Sequence, residues 1–344
     1  LIEQILKSKE DILKRRNINI NIFALSNSKH LLLQSEGIGA DWKKDLLDQD
    51  QGKFTINDVI GFAKNKHLEN LIAVDNTASV DFIKNYIPLV ENGFDLVSSN
   101  KIGNTVDFSF YRELRASLKR NEKNYLYETN VGAGLPLVDT IKLLHHSGEN
   151  ITRINGVFSG SLSYLFNNFS EQSKDFSEIL QEAVDKGFTE PDPREDLSGN
   201  DVARKLLILA RELDLENEIE DVSIQNLIPE NLREGSAADF LKRLNELNEE
   251  YQKKKEAQEP DHVLRYVGVL AGDLSKSKGE LEVKLVSVSK DSSLGQVQGS
   301  DSIFEIYTES YGERPLVIQG AGAGAKVTAR GVFGDILRLT EKAV

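Results

Sequence analysis

The sequence predicts an α/β protein with a doubly wound parallel sheet in its first part and a second, α+β unit after it. Three observations carry that expectation. Helical and strand patterns alternate from residue 1 to about residue 128. The strand candidates there end in short polar stretches. After Val131 the pattern changes to strands of a mixed or antiparallel sheet with helices between them.

Leu1, Ile2, Ile5, Leu6, Ile12 and Leu13 recur at helical spacing, so the chain opens on a helix. Ile18, Ile20 and Ile22 alternate with Asn and lead into Phe23 and Ala24, which predicts a strand ending at Ser26. A helix at 56–66, a strand at Leu71–Asp75, a helix at about 80–90 and a strand at Phe94–Ser98 follow. A helix near 108–118 then leads to a strand ending at Glu128. Ligands of such sheets sit beyond the carboxyl ends of the strands. Those ends read Ser26-Asn27-Ser28-Lys29, Asp75-Asn76-Thr77 and Ser98-Ser99-Asn100-Lys101.

Past Val131, VGAGLP opens a helix, a strand follows at Ile151–Phe158, and helices flank a PDP turn. Strands are expected at 263–270, 281–288 and 303–307. Residues 245–261, NELNEEYQKKKEAQEPD, read as a solvated helix and linker. The expected division is 1–130, 131–318 and 319–344, the last a helix returning to the first unit.

Composition removes several classes of function. A chain of 344 residues exceeds what one core usually serves. Acids outnumber bases 55 to 42 and no basic arm occurs, which argues against a nucleic-acid partner. No apolar run approaches the ~18 residues of a membrane span, so a soluble protein with no membrane partner is expected. The absence of Cys excludes disulfides, thiolate metal sites and a thiol nucleophile, and suits a reducing cytoplasm. There is no Met, and the chain starts inside a helix with no strand or GxGxxG before it. The expectation is that the opening of a dinucleotide fold lies outside these residues.

The stretch Gly187–Lys205, GFTEPDPREDLSGNDVARK, concentrates charge around the PDP turn. Ser198 followed by Asp201 fits a capping box, so a helix is expected from Ser198, with Val202, Leu206, Leu209 and Leu213 as its buried stripe. Asp201 and Lys205, one turn apart, border that stripe; they form either an ordinary ion pair or one edge of a cleft. Crowded acids at Glu190, Asp192, Glu195 and Asp196 call for a cation, and a substrate ammonium group would serve. Lys205, beside carboxylates and partly desolvated, is a candidate for proton transfer.

This stretch resembles the signature of the homoserine dehydrogenase family, and YETNVGAGLP, NGVFSGSLSYLFN and PLVIQGAGAGAKVTARGVFGD resemble three further blocks of it in the same order. The resemblance covers nearly the whole chain and is strongest to the dehydrogenase half of bifunctional aspartokinase/homoserine dehydrogenases. It implies a Rossmann-like first unit and reversible reduction of aspartate 4-semialdehyde to homoserine with NAD(P), on the route to threonine and methionine. Catalytic Lys205 and Lys101 would handle protons, with Asp201 beside Lys205, and Glu190 and Asp196 would hold the substrate. Phe188 stands where the family commonly has Tyr, and Glu195 where it has Asp.

The resemblance also implies a monovalent cation, usually sodium, held by a carboxylate at Glu128 and by carbonyls of Val131, Ala133 and Leu135. The alternative is a tight turn shaped by Gly132 and Gly134. Gly324, in the GAGAG run at Gly320–Gly324, would approach the nicotinamide; the alternative is a close-packed turn. Ser26, Ser28 and Lys29 offer donors and a positive charge where an NAD enzyme usually has an acid, which favours NADP over NAD. Asn76 and Thr77 match a loop bordering the nicotinamide ribose, or else cap the next helix. A homodimer or homotetramer, an aspartokinase domain fused ahead of residue 1, and a non-catalytic dimerisation or regulatory module are further expectations. Aspartate-semialdehyde dehydrogenase, which handles the same aldehyde, requires a cysteine and is excluded.

Overall fold

The computed structural model describes residues 1–49 and 52–341. The last three residues of the segment expected at 319–344 lie outside the described residues. The chain divides into two compact units: residues 1–103, 109–127 and 329 onward, and residues 104–108 with 128–328.

The first unit opens on α1 (Ile2–Arg16), which buries Ile5 and Ile12 and ends at Asn17 in the left-handed conformation. Lys14, Arg15 and Arg16 complement the negative end of the helix dipole. The strand expected from Ile18 is shorter than its alternation predicts. Only β1 (Ala24–Ser26) joins a ladder, antiparallel to β2 (Leu31–Leu33). Ile18, Ile20 and Ile22 pack on an apolar cluster with Ile5, Val332, Phe333 and Ile336, so burial rather than strand pairing explains their alternation.

Next come α2 (Trp42–Leu47), α3 (Ile56–Asn65), β3 (Ile72–Asp75), a 3-10 turn at Phe82–Asn85 with α4 (Tyr86–Glu91), β4 (Asp95–Ser98), α5 (Phe108–Arg120) and β5 (Tyr125–Leu126). Strands β3, β4 and β5 form a parallel sheet in that order. The strand expected to end at Glu128 stops at Leu126, because Glu128–Asn130 turns as a 3-10 helix.

The second unit holds α6 (Leu137–His146), β6 (Ile151–Val157), α7 (Gly160–Glu171), α8 (Phe176–Asp185), α9 (Arg194–Leu197) and α10 (Asn200–Glu212). After them come β7 (Val222–Ile224), α11 (Ala237–Lys242), α12 (Asn248–Glu256), β8 (His262–Ala271), β9 (Glu280–Ser289), β10 (Ser302–Thr308) and β11 (Leu316–Gly320). The six strands run in the order β11-β10-β6-β8-β9-β7, antiparallel except for β7 against β9. Helices α7 and α10 pack on β8. The segment expected to be solvated is anchored: Leu247 is buried, and Tyr251 of α12 is buried, stacks on Phe176 with ring centroids 3.6 Å apart, and donates to the Leu227 carbonyl. A final helix, α13 (Ala325–Glu341), belongs to the first unit from Ala329.

Among the described residues, no helix is long and apolar enough to cross a membrane.

Candidate active site

Helix α10 starts two residues later than its capping pattern predicts. Gly199 is the N-cap, at φ 79°, and Asn200 is the first helical residue. Ser198 instead closes α9, its hydroxyl donating to the Glu195 carbonyl at 2.8 Å. Gly199 is required there twice over: its φ is left-handed, and a Cβ would stand 2.1 Å from the Tyr266 hydroxyl. With Ser198 out of the cap, Asp201 turns to Lys205.

The apolar stripe behaves as expected, with Val202, Leu206, Leu209 and Leu213 all buried. Each contributes about 1.5–3 kcal/mol by leaving water, which fixes the roll of α10 and hence where its polar residues point. The Lys205 Nζ lies 2.8 Å from Asp201 Oδ2 and donates to the Phe158 carbonyl at 2.7 Å. Its side chain is 12% exposed. An ammonium has three protons and these contacts use two, which leaves one for a ligand.

Asp196, at the end of α9, faces the same surface. Its Oδ1 accepts from the Ser161 hydroxyl at 2.6 Å and its Oδ2 from the Glu190 backbone N–H at 2.9 Å. Burial raises its pKa against those two hydrogen bonds, and the Asp201 charge adds to the rise. Among the described residues no cation pairs with it. Sequence reasoning missed Ser161, which the N-cap of α7 places: Ser159 accepts from Leu162 N–H, and its hydroxyl lies 2.8 Å from that of Ser161. The signal was the Ser-Gly-Ser run after a strand, a helix-start pattern.

Glu190, Asp196, Asp201 and Lys205 are therefore all in the second unit, linked through Asp196 and α10. Asp192 has a different fate, bound by the Arg194 guanidinium with contacts of 2.9 and 2.6 Å. Phe188 stacks on Tyr164 with centroids 4.3 Å apart.

Glu128 is buried, and its two carboxylate oxygens accept the backbone N–H groups of Val138 and Asp139 at 2.7 and 3.0 Å, at the start of α6. Burial, with Asp139 beside it, pushes its pKa up to about 8. Val131 and Ala133 are buried, and Ala133 and Gly132 both have left-handed φ, so the chain does fold tightly here. The Leu135 carbonyl accepts from Leu137 N–H at 2.9 Å, which leaves it one lone pair. Among the described residues no group of three or more His, Cys, Asp or Glu could hold a metal ion, so any cation here would rest on Glu128, with Asp139 beside it, and on carbonyls.

In the first unit, Ser26, Asn27, Ser28 and Lys29 are exposed at the end of β1. Asn27 is used locally, its side chain accepting from the N–H groups of Lys29 and His30. Ser26, Asn27, Ser28, Asn76 and Thr77 line one cavity of about 1390 Å³, above the ~300–1,000 Å³ usual for a small-ligand pocket. Lys101 starts a 3-10 turn, Lys101–Asn104, beyond the end of β4.

In the second unit, the GAGAG run splits into two roles. A Cβ on Gly322 would stand 2.0 Å from Ser302 Oγ, the close packing that a small residue permits. Gly324 has φ 118° and open space beside it.

A lysine with a proton to spare, close to one acid, Asp196, that no cation among the described residues pairs with, fits an oxidoreductase of α/β build. The homoserine dehydrogenase family model matches residues 136–337. The chain is 40% identical over 342 residues to the bifunctional aspartokinase/homoserine dehydrogenase of Haemophilus influenzae, covering 98% of this chain and 41% of that protein. It is 42% identical over 282 residues to the homoserine dehydrogenase of Emericella nidulans, covering 79% of this chain and 76% of that one. A hyperthermophilic archaeal homoserine dehydrogenase in complex with NADPH superposes with a TM-score of 0.69 at 24% identity, over 97% of this chain and 93% of that one; this likeness shows the fold. The chain belongs to the homoserine dehydrogenase family. It spans about two fifths of the length of the bifunctional relatives it matches, 37% and 41% for those of Arabidopsis thaliana and Haemophilus influenzae.

Proposed function

We propose that the chain reduces aspartate 4-semialdehyde to homoserine, reversibly and with NADPH, on the route to threonine and methionine. The observation that carries this reading is the Lys205 ammonium, held by Asp201 and the Phe158 carbonyl with one proton unassigned. An aldehyde becoming an alcohol needs a proton at oxygen as hydride reaches carbon, and Lys205 is set to deliver it. In the reverse direction the same amine takes the proton back. Glu190 and Asp196 hold the substrate ammonium, which keeps Asp196 ionised despite its burial.

NADPH supplies the hydride when bound. Ser26, Ser28 and Lys29 fit its 2′-phosphate, since they are exposed donors with no acid among them. Asn76 and Thr77 border the nicotinamide ribose, Gly324 leaves room for the ring, and Lys101 serves as the second proton-handling lysine.

Sodium fits the Glu128 turn. A buried carboxylate with a pKa of about 8 is mostly protonated at neutral pH, and a cation held by Glu128 and the carbonyls of Val131, Ala133 and Leu135 would keep it ionised. The second unit is proposed to mediate a homodimer or homotetramer. The bifunctional relatives support fusion to an aspartokinase, and a cytoplasmic setting is part of the proposal.

The test is NADPH oxidation at 340 nm with aspartate semialdehyde, using the full-length polypeptide. Turnover supports the reading. A folded protein without turnover supports a dimerisation or regulatory module instead.

A further inference from the structure

The carboxyl ends of β3 and β4 are joined by a buried polar network that the proposed chemistry does not use directly. Asp75 ends β3 opposite Ser98 of β4, and it is 4% exposed. A carboxylate this deep costs several kcal/mol unless donors surround it. Here there are three. Thr77 N–H donates to Oδ1 at 2.8 Å, while the Tyr86 hydroxyl and the Asn100 amide donate to Oδ2 at 2.7 and 3.0 Å.

Two of the three donors belong to loops that carry proposed site residues. The Thr77 N–H sets the Asn76–Thr77 turn. Asn100, 2% exposed, acts as a go-between: its amide nitrogen contacts Asp75 and the Ser79 carbonyl, while its Oδ1 accepts from Ile102 N–H at 3.0 Å. That last bond caps the 3-10 turn on which Lys101 sits. Ser99 adds a second tie, its hydroxyl donating to Asn76 Oδ1 at 3.0 Å. The third donor, Tyr86, comes from α4; its hydroxyl also lies 3.0 Å from Ser98 Oγ and its ring packs against Gly103 of the Lys101–Asn104 turn. Its own pKa is raised, chiefly by burial, so it stays a donor.

We propose that Asp75 is a positioning residue: through Thr77 N–H it aligns the Asn76–Thr77 loop for the nicotinamide side of NADPH, and through Asn100 it aligns Lys101. The proposal rests on the dehydrogenase reading above. An acceptor-only group is needed at position 75, because an amide would turn a donor toward either Thr77 N–H or the Asn100 amide. The two branches meet at Asn100, whose amide also lies 3.5 Å from Thr77 Oγ1 and donates to the Ser79 carbonyl, but the Thr77 N–H contact to Asp75 is direct.

The experiment compares Asp75→Asn, Asn100→Ala and Tyr86→Phe in the full-length protein, reading NADPH Kd by fluorescence and kcat by NADPH oxidation. Asp75→Asn is expected to weaken NADPH binding ~10-fold and lower kcat ~10–100-fold, the scale of losing charge-assisted hydrogen bonds and of misplacing a reacting group. Asn100→Ala should lower kcat by a similar factor while weakening NADPH binding less than Asp75→Asn does, since the Thr77 N–H contact to Asp75 remains. Tyr86→Phe, which removes one Asp75 donor but leaves the Thr77 N–H and Asn100 amide in place, should change Kd and kcat clearly less than Asp75→Asn does, whatever it does to Tm. If Asp75→Asn does not fold, the split between kcat and Kd in Asn100→Ala decides. Equal losses in all three variants, or losses confined to Tm, overturn the proposal. A wild type that binds NADPH without turnover sinks the dehydrogenase reading alone, and the Kd comparison still judges the Thr77 branch. A wild type that does neither removes both.

Discussion

Asp192 and Asp196 lie four residues apart in one charged stretch and have opposite environments. Asp192 is clasped by Arg194, which in turn donates to the carbonyls of Arg233 and Gly235, and the Arg194 hydrogen bonds hold its pKa below the usual carboxylate range. Asp196 is more deeply buried, receives only a hydroxyl and a backbone N–H, and is raised. The first acid is completed by the fold. The second has its orientation fixed, but among the described residues no cation partners its charge, which is how a ligand site differs from a structural ion pair. Arg194 itself is held within the fold, with four of its five N–H groups donating to Asp192 and to the Arg233 and Gly235 carbonyls.

Removing the amine on the ligand side should have the largest effect. Lys205→Ala is expected to lower kcat at least ~100-fold, the usual scale for a general acid, in steady-state assays of both reaction directions. Near-wild-type turnover would return Lys205 to a plain i, i+4 ion pair with Asp201. Asp196→Asn should raise the KM for aspartate semialdehyde ~10–100-fold, because an amide cannot match the substrate charge. Asp192→Asn should leave that KM unchanged; equal effects at the two positions would erase the contrast.

The Glu128 turn gives a stability prediction of intermediate size. Its folded pKa, about 8, lies above the 4.5 of an ordinary glutamate, so without a cation the folded chain holds more protons than the unfolded one. Stability should then fall as pH rises through that window when tetramethylammonium is the only cation. Sodium should flatten the decline in denaturant melts, and identical curves with either cation would remove the cation site.

The smallest effect concerns stability at the two aspartates. Asp192 contributes stability that is present above about 3.8 and lost as pH falls through its depressed value, whereas Asp196 costs stability as pH rises from 3.8 through its raised value. Asp192→Asn should therefore cost about 1 kcal/mol or less at neutral pH, and Asp196→Asn should be neutral or stabilising.

How far the sequence anticipated this follows from how local each feature is. The stripe of α10 and the parallel strands β3 and β4 were legible, because burial periodicity is written in neighbouring residues. Asp201 and Lys205 were placed together by helical spacing alone. The cap at Ser198 was misread because a four-residue helix immediately before it claims that hydroxyl, and no local pattern shows that Gly199 must clear Tyr266. Ile18–Ile22 alternates like a strand, yet its isoleucines pack on α1 and α13, the latter more than 300 residues away. Ser161 and the link from Asp75 to Asn100 depend on contacts across 35 and 25 residues, which spacing does not encode.

The most direct measurement is substrate discrimination at Asp196: kcat/KM for aspartate semialdehyde against succinate semialdehyde, its counterpart without the amino group, in wild type and Asp196→Asn. The wild type should favour the amine-bearing aldehyde, and Asp196→Asn should lose most of that preference by losing the better substrate only. An unchanged preference in the variant would show that this carboxylate does not hold the ammonium group.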